Sequence, residues 1–290
     1  MRCRGACWLL LVPVLAVVAL LPGCEGGTVP TGKRRAPTGG DLEASRKELK
    51  PKGYGTVSGK VTFEGTPPVR ALIAMGSNEG DCHRGATPDE IRDEKWVVSA
   101  AGGVKNAVVI IQPPEGFYFH VPDEHRKDLA DVKLHQPHCA FQPHVFTVFP
   151  VYFDGKVNVA TGQKVFITND APFSHNYNIM NSAKNVPGGT LPGGKNETVE
   201  VLGLEPQSGP IAIKCDIHNW MRTYGFILDH PYVAITGDDG SFTIKNAPLG
   251  VEVRVVAWHE GPGFFNGTDE GTPATLADKQ TITLPSLKAR

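Results

Sequence analysis

The sequence lacks any excess of charge. Its 290 residues carry 29 Lys and Arg against 30 Asp and Glu, a formal net charge of −1, so nothing in the balance points to nucleic acid. It also lacks a convincing long amphipathic helix; DEHRKDLAD at 123–131 is read as one helical turn or two. No C-x-x-C-H run is present, which removes the usual haem attachment. Charged residues make up only 20% and hydrophobic ones 40%, enough apolar material to bury a core. What is plentiful is Gly (33) and Pro (24), which favours turns and short strands over long helices.

The first segment reads as a targeting signal rather than part of the fold. Arg2 and Arg4 precede WLLLVPVLAVVALL, an apolar stretch too short for a comfortable membrane span. It ends in LPGC, and Cys24 resembles the lipidated cysteine of a bacterial lipobox. The reading is a signal over 1–23, a lipid anchor at Cys24 and export to a periplasmic or cell-surface face of a bacterial membrane. Such a compartment is oxidising. Residues 24–53, rich in Gly, Pro and charge with no sustained apolar period, read as a flexible tether reaching on the order of 30 Å. Cleavage removes Cys3 and Cys7. Cys82, Cys139 and Cys215 then remain besides Cys24; a disulfide takes two of them and leaves one over.

From Tyr54 the texture is all-β. GTVSGKVTFEG, VKNAVVIIQPP, VAITGDDGSFTI, VEVRVVAWHE and KQTITLPSL read as strands divided by turn signals. TVSGKVTFEGTPP near the start and GDDGSFTIKNAPLGVEVRVVAWHE near the end resemble two parts of one carboxypeptidase regulatory-like, or prealbumin-like, sandwich, carried by SGKVT and DGSFTIKNAPLG. That resemblance implies a small sandwich from 54–115 and 231–290, with 116–230 inserted in it or standing next to it. Within the middle, GQKVFITND, ETVEVLGL, GPIAIKC and YGFILDH read as further strands.

The chemistry concentrates in KCDIHNWM, residues 214–221. Cys215, His218 and Met221 stand at C-x2-H-x2-M, a spacing that lets one tight loop turn all three inward from a strand end. His175, on a turn in NDAPFSHN, is the best candidate for a fourth ligand. Thiolate, two imidazoles and a thioether are the donors of a type 1 copper site, with Met weak and axial. A disulfide at Cys215 and a zinc site are the competing uses of the same residues.

Here the sequence resembles the cupredoxins, the plastocyanin and azurin family, with a ligand loop of the length found in amicyanin. The resemblance implies a Greek-key β-sandwich holding one copper through His175, Cys215, His218 and Met221. It implies single-electron transfer between redox partner proteins rather than enzyme activity. It also implies an exposed His218 edge as the electron gate, with Trp220, Pro172 and Phe173 around it. Asn176 or Asn169 would hydrogen-bond the ligand loop. A Cys82–Cys139 pair would leave Cys215 as the thiolate. The neighbours of Cys215 are Lys214 and Asp216, so the His-Cys-His run of a multicopper oxidase is missing. A second group, His120, His125, His135, His138 and His144, raises an alternative: a copper carrier with a further metal site at His135, His138 and His144. A third reading is a metal-free binding module of the same fold.

Overall fold

The computed structural model describes residues 46 to 288. The expected signal, the lipid site at Cys24 and most of the tether lie outside the described residues. Short β-branched and aromatic runs bounded by turn residues form twenty strands among the described residues, β1 to β20 in chain order. Helix is confined to 3-10 turns at Gly76–Asn78 and Asp123–His125 and one α-helical turn, Glu79–Cys82 (α1). No helix among the described residues is long and apolar enough to cross a membrane. The protein is all-β.

Two sheets draw on the two ends of the described chain. One orders β16 (Ser241–Leu249), β2 (Gly53–Lys60) and β20 (Thr281–Thr283). The other orders β15 (Val233–Ile235), β3 (Val108–Gln112), β17 (Glu252–His259) and β18 (Gly263–Phe264), with β19 (Thr272–Thr275) also paired to β17. Along β16, Phe242 and Ile244 are buried while Ser241 and Thr243 are exposed, the period of two of a half-buried strand. These residues join Val57, Val109, Ile111 and Val253 in one core.

Two further sheets come from the middle of the chain. The larger orders β11 (Gly189–Leu191), β10 (His175–Met180), β13 (Ile211–Lys214), β14 (Arg222–Ile227) and β6 (Val145–Val148). The smaller orders β12 (Glu197–Glu200), β9 (Val165–Asn169) and β5 (Val132–His135). Leu134, Phe146, Ile167, Leu191, Ile211 and Ile213 share a second core. A third cluster, with Val108, Ile110, Val145, Phe226, Val256 and Trp258, joins β3 and β17 to β6 and β14. Strand β3 is therefore buried on both faces, which is why AVVII shows no polar alternation.

Three placements differ from the sequence reading. Lys47–Leu49, assigned to the tether, form β1 and pair in parallel with β4 (Phe117–Phe119). Backbone pairing and an Arg46–Asp229 ion pair at 3.1 Å hold this stretch, and neither leaves an apolar period to read. Phe119, Val121 and Phe149, assigned to the inserted unit, pack in the first core. A hairpin of β7 (Val151–Phe153) and β8 (Asn158–Ala160) follows Phe149. Finally, the connection from β2 to β3, residues 61–107, keeps its ends in the first core through Val61, Val104 and Ala107, but its middle leaves that core. It places Met75 and Cys82 in the second core, with Ile73 and Ile91 packed against it.

Candidate metal centre

The register of three strands assembles the site. Antiparallel pairing sets Asn178 of β10 opposite Lys214 of β13, and Lys214 opposite Arg222 of β14. Residues 215–221 must then turn back beside the start of β10, where His175 stands. The loop closes on itself: the Cys215 N–H donates to the Met221 carbonyl at 3.2 Å, and the Met221 N–H to the His218 carbonyl at 2.9 Å. Asn176 fastens it from β10. Its Oδ1 accepts the Asp216 N–H at 2.7 Å, and its Nδ2 donates to the Asp216 carboxylate at 3.1 Å. Asn178 donates to the same carboxylate.

The turn before His175 is pinned as firmly. Fully buried Asn169 donates to the carbonyls of Phe173 and Leu191, at 3.0 and 2.8 Å, and accepts the Ala171 N–H at 3.0 Å. Gly193, in one of the two Gly-Gly pairs, lies against this turn; a β-carbon there would collide with the Phe173 backbone.

The donor atoms converge. The Nδ1 atoms of His175 and His218 are 3.1 Å apart, and the Cys215 sulfur is 3.9 Å from each. A triangle with those sides has its centre about 2.1 Å from every corner, against ~2.0–2.1 Å for metal–nitrogen and ~2.3 Å for metal–sulfur bonds. One cation could therefore be held by all three at once. Without it, only one of the two facing Nδ1 atoms can carry a proton and donate to the other. His175 is 0%, Cys215 2%, His218 5% and Met221 1% exposed. Burial, then repulsion from His218, pushes the His175 imidazole down to about 4, with the backbone at His138 acting the other way. Burial lowers His218 too. Burial thus favours the neutral form of both rings, the protonation state a metal ligand requires.

Cys82 and Cys139 form a disulfide, and Cys215 is the free cysteine among the described residues. The sulfurs of that disulfide and a ring nitrogen of His218 lie within 4.8 Å of one another. These sulfurs are spent on each other, so the grouping is a packing contact rather than a second set of thiolate ligands.

His218 is 5% exposed and packs among the disulfide, Phe173 and Trp220, the rings at 6.1 and 5.3 Å between centroids; its Nε2 has no hydrogen-bond partner and is not fully buried, so a small part of the expected edge reaches solvent. Pro172 is exposed, and Trp220 and Phe173 are partly buried. The sequence reading passed over residues 61–107 as a covering element. The signal that points there is Cys82, one of the three cysteines of which a disulfide takes two.

The other histidines disperse. His135 is an exposed partner of Asp170 at 2.8 Å. His138 is buried, and burial lowers its pKa. His144 lies between Glu260, 2.8 Å from its Nε2, and Glu94, 3.4 Å from its Nδ1. His120 is exposed, and His125 meets the Tyr232 hydroxyl at 3.3 Å. His135, His138 and His144 do not share a donor cluster among the described residues. His259, at the end of β17, accepts the Gly261 N–H at 3.1 Å and packs beside Trp96. A cavity of about 400 Å³ lies elsewhere, between β17, β19 and β20; its lining, including Val255, Phe265, Thr272 and Ile282, has no titratable group.

No protein-family model matches the chain, and no curated protein matches it. Part of the chain is similar to solved structures. A copper-containing nitrite reductase from Thermus scotoductus is 19% identical over 33% of this chain and 22% of its own, with a TM-score of 0.25. A purple cupredoxin from Nitrosopumilus maritimus is 16% identical over 33% of this chain and 99% of its own, also at 0.25. Auracyanin A, a blue copper protein from Chloroflexus aurantiacus, is 18% identical over 34% of this chain and 98% of its own, at 0.23. The chain thus spans about a fifth of the nitrite reductase. Likeness at these scores adds no weight to a function, and the donor triangle has to carry that reading alone.

Proposed function

We propose that the protein holds a single copper ion through His175, Cys215 and His218, with Met221 as weak axial ligand, and carries single electrons between redox partner proteins. The observation that supports this is the triangle of buried donors, one thiol and two neutral imidazoles at the separations one metal ion needs. A His2Cys trigonal set with an axial Met is the donor chemistry of blue copper sites. Bound copper supplies a one-electron couple. The chain's residues do the rest: β10, β13 and β14 fix the donors, Asn169 and Asn176 pin the two turns that carry them, and burial keeps water out. Four protein ligands leave no position for a substrate, so the site suits a carrier better than an enzyme. An acyl chain at Cys24 would keep the carrier at the outer face of a bacterial membrane, near its partners.

Copper(II) added to the metal-free protein is expected to bind one equivalent and give an intense visible thiolate-to-copper band. Cys215→Ser abolishes the band. If Cys215→Ser retains it, or the wild-type protein never shows it, the reading is wrong. Mass analysis of Cys24 from a membrane fraction tests the anchor separately.

A further inference from the structure

The cover over His218 comes from a distant part of the chain. The excursion between β2 and β3 turns inward at Gly76–Asn78 and α1, burying Met75 and Cys82 at 4% and 0% exposure in the core that also holds Cys215 and Met221. Residues Glu79, Gly80 and Asp81 of α1 stay exposed, so the turn is a thin layer with solvent on its far side. Cys82 is bonded to Cys139, 57 residues on, and both sulfurs are within 4.8 Å of the His218 ring. The same loop is tied from the other side, since the Trp220 indole N–H donates to the Cys139 carbonyl at 3.1 Å. Disulfide, indole and imidazole form one packed set.

We propose that Cys82 and Cys139 are positioning residues of the metal centre: their disulfide fixes the excursion as a permanent cover that holds the His218 ring and leaves only a small part of its edge open to solvent. The purpose of the cover rests on the copper reading; its existence does not. If both hold, the excursion narrows the face at which a redox partner reaches His218 and forms part of that face.

The test uses the metal-free full chain and diethyl pyrocarbonate, with modification mapped by mass spectrometry. His135, its side chain 45% exposed, is the internal reference. With the disulfide intact, His218 is expected to react about ten-fold or more slower than His135, as a site protected by local structure does. In C82A/C139A the His218 rate rises about ten-fold while His135 is unchanged. Equal rates at His218 and His135 in the wild-type protein overturn the proposal. So does a folded double variant, judged by circular dichroism, in which His218 stays protected. If that variant does not fold, Trp220→Phe decides; it keeps the disulfide and loses the donor to Cys139. A rise of a few-fold at His218 is expected there, on the order of one lost hydrogen bond, and an unchanged rate overturns the cover. A wild-type protein without the visible copper band sinks the proposed function and leaves the labelling result standing. A normal band with fast labelling sinks the cover alone.

Discussion

His175 and His218 face each other across a thiol, and the charges that act on His175 are other imidazoles, His218 and His138. His144, in the same body, sits between Glu94 and Glu260 with the Tyr224 hydroxyl donating to Glu260 at 3.0 Å. Both places are buried, and burial opposes a charged ring in each. At His175 nothing strong answers it, so the ring is pushed down to about 4. At His144 the hydrogen bonds and charges of Glu260 and Glu94 overcome burial and raise the ring to about 9. The same residue type is thus prepared for two jobs. One pair stays neutral, as the proposed copper site needs; the other ring keeps its proton and clasps β6 to the end of β17. Neighbouring carboxylates, more than depth, decide which.

The largest effect should come from exchanging the roles. His175→Ala removes one corner of the triangle and is expected to weaken copper binding by more than about 100-fold, since outer-shell partners alone are worth 10–100-fold. His144→Ala should leave copper affinity unchanged. Isothermal titration of both variants checks this, and equal losses would dissolve the distinction.

Next in size is the clasp. Glu260→Ala leaves the buried His144 short of its closer partner and the Tyr224 hydroxyl without its acceptor. A cost of about 3 kcal/mol is expected, read from denaturant midpoints, with the visible copper band intact. The pH dependence has a definite sign. The His144 pKa is raised from 6.5 to about 9, so its contribution is fully present below pH 6.5 and is lost as pH rises through 9. Glu260 is lowered from 4.5, so its contribution is present above that value and is lost on acidification through the lowered one. Wild-type stability should therefore fall between pH 7 and 9 by on the order of 2–3 kcal/mol, and His144→Gln should flatten that limb. A variant as alkaline-sensitive as the wild type would place the proton elsewhere.

The two sites were unequally legible from the sequence. C-x2-H-x2-M is a local pattern at a strand end, so Cys215, His218 and Met221 could be read together, and the HN turn supplied His175. The strands themselves were legible from β-branched runs and turn residues. The clasp was not, because Glu94, His144 and Glu260 are 50 and 116 residues apart and only the packing of β3 and β17 against β6 and β14 brings them together. The cover was half legible. Three cysteines implied one disulfide without saying which two pair, and nothing local in GSNEGDC says that Cys82 would land on His218 rather than in the first core.

The smallest effect tests how much of the neutral site is held by its polar frame. Asn176→Ala removes its two bonds to Asp216, one of them from a backbone N–H. Asp216 is exposed, so its carboxylate can turn to water, and it keeps the Asn178 donor. The Asp216 N–H loses its acceptor, so the net loss should be about 1 kcal/mol, the worth of an ordinary hydrogen bond. The loop would still be closed by Cys215 to Met221 and by Met221 to His218. Copper should remain bound, with the visible band shifted or broadened rather than lost, because the Cys215 side of the triangle is freed while His175 stays fixed by Asn169. The companion change Asn169→Ala strips three carbonyls and one N–H of a fully buried partner and should cost more in stability than Asn176→Ala. If the order is reversed, the ligand loop rather than the histidine turn is the part under constraint, and the contrast between a rigid His175 and an adjustable Cys215 fails.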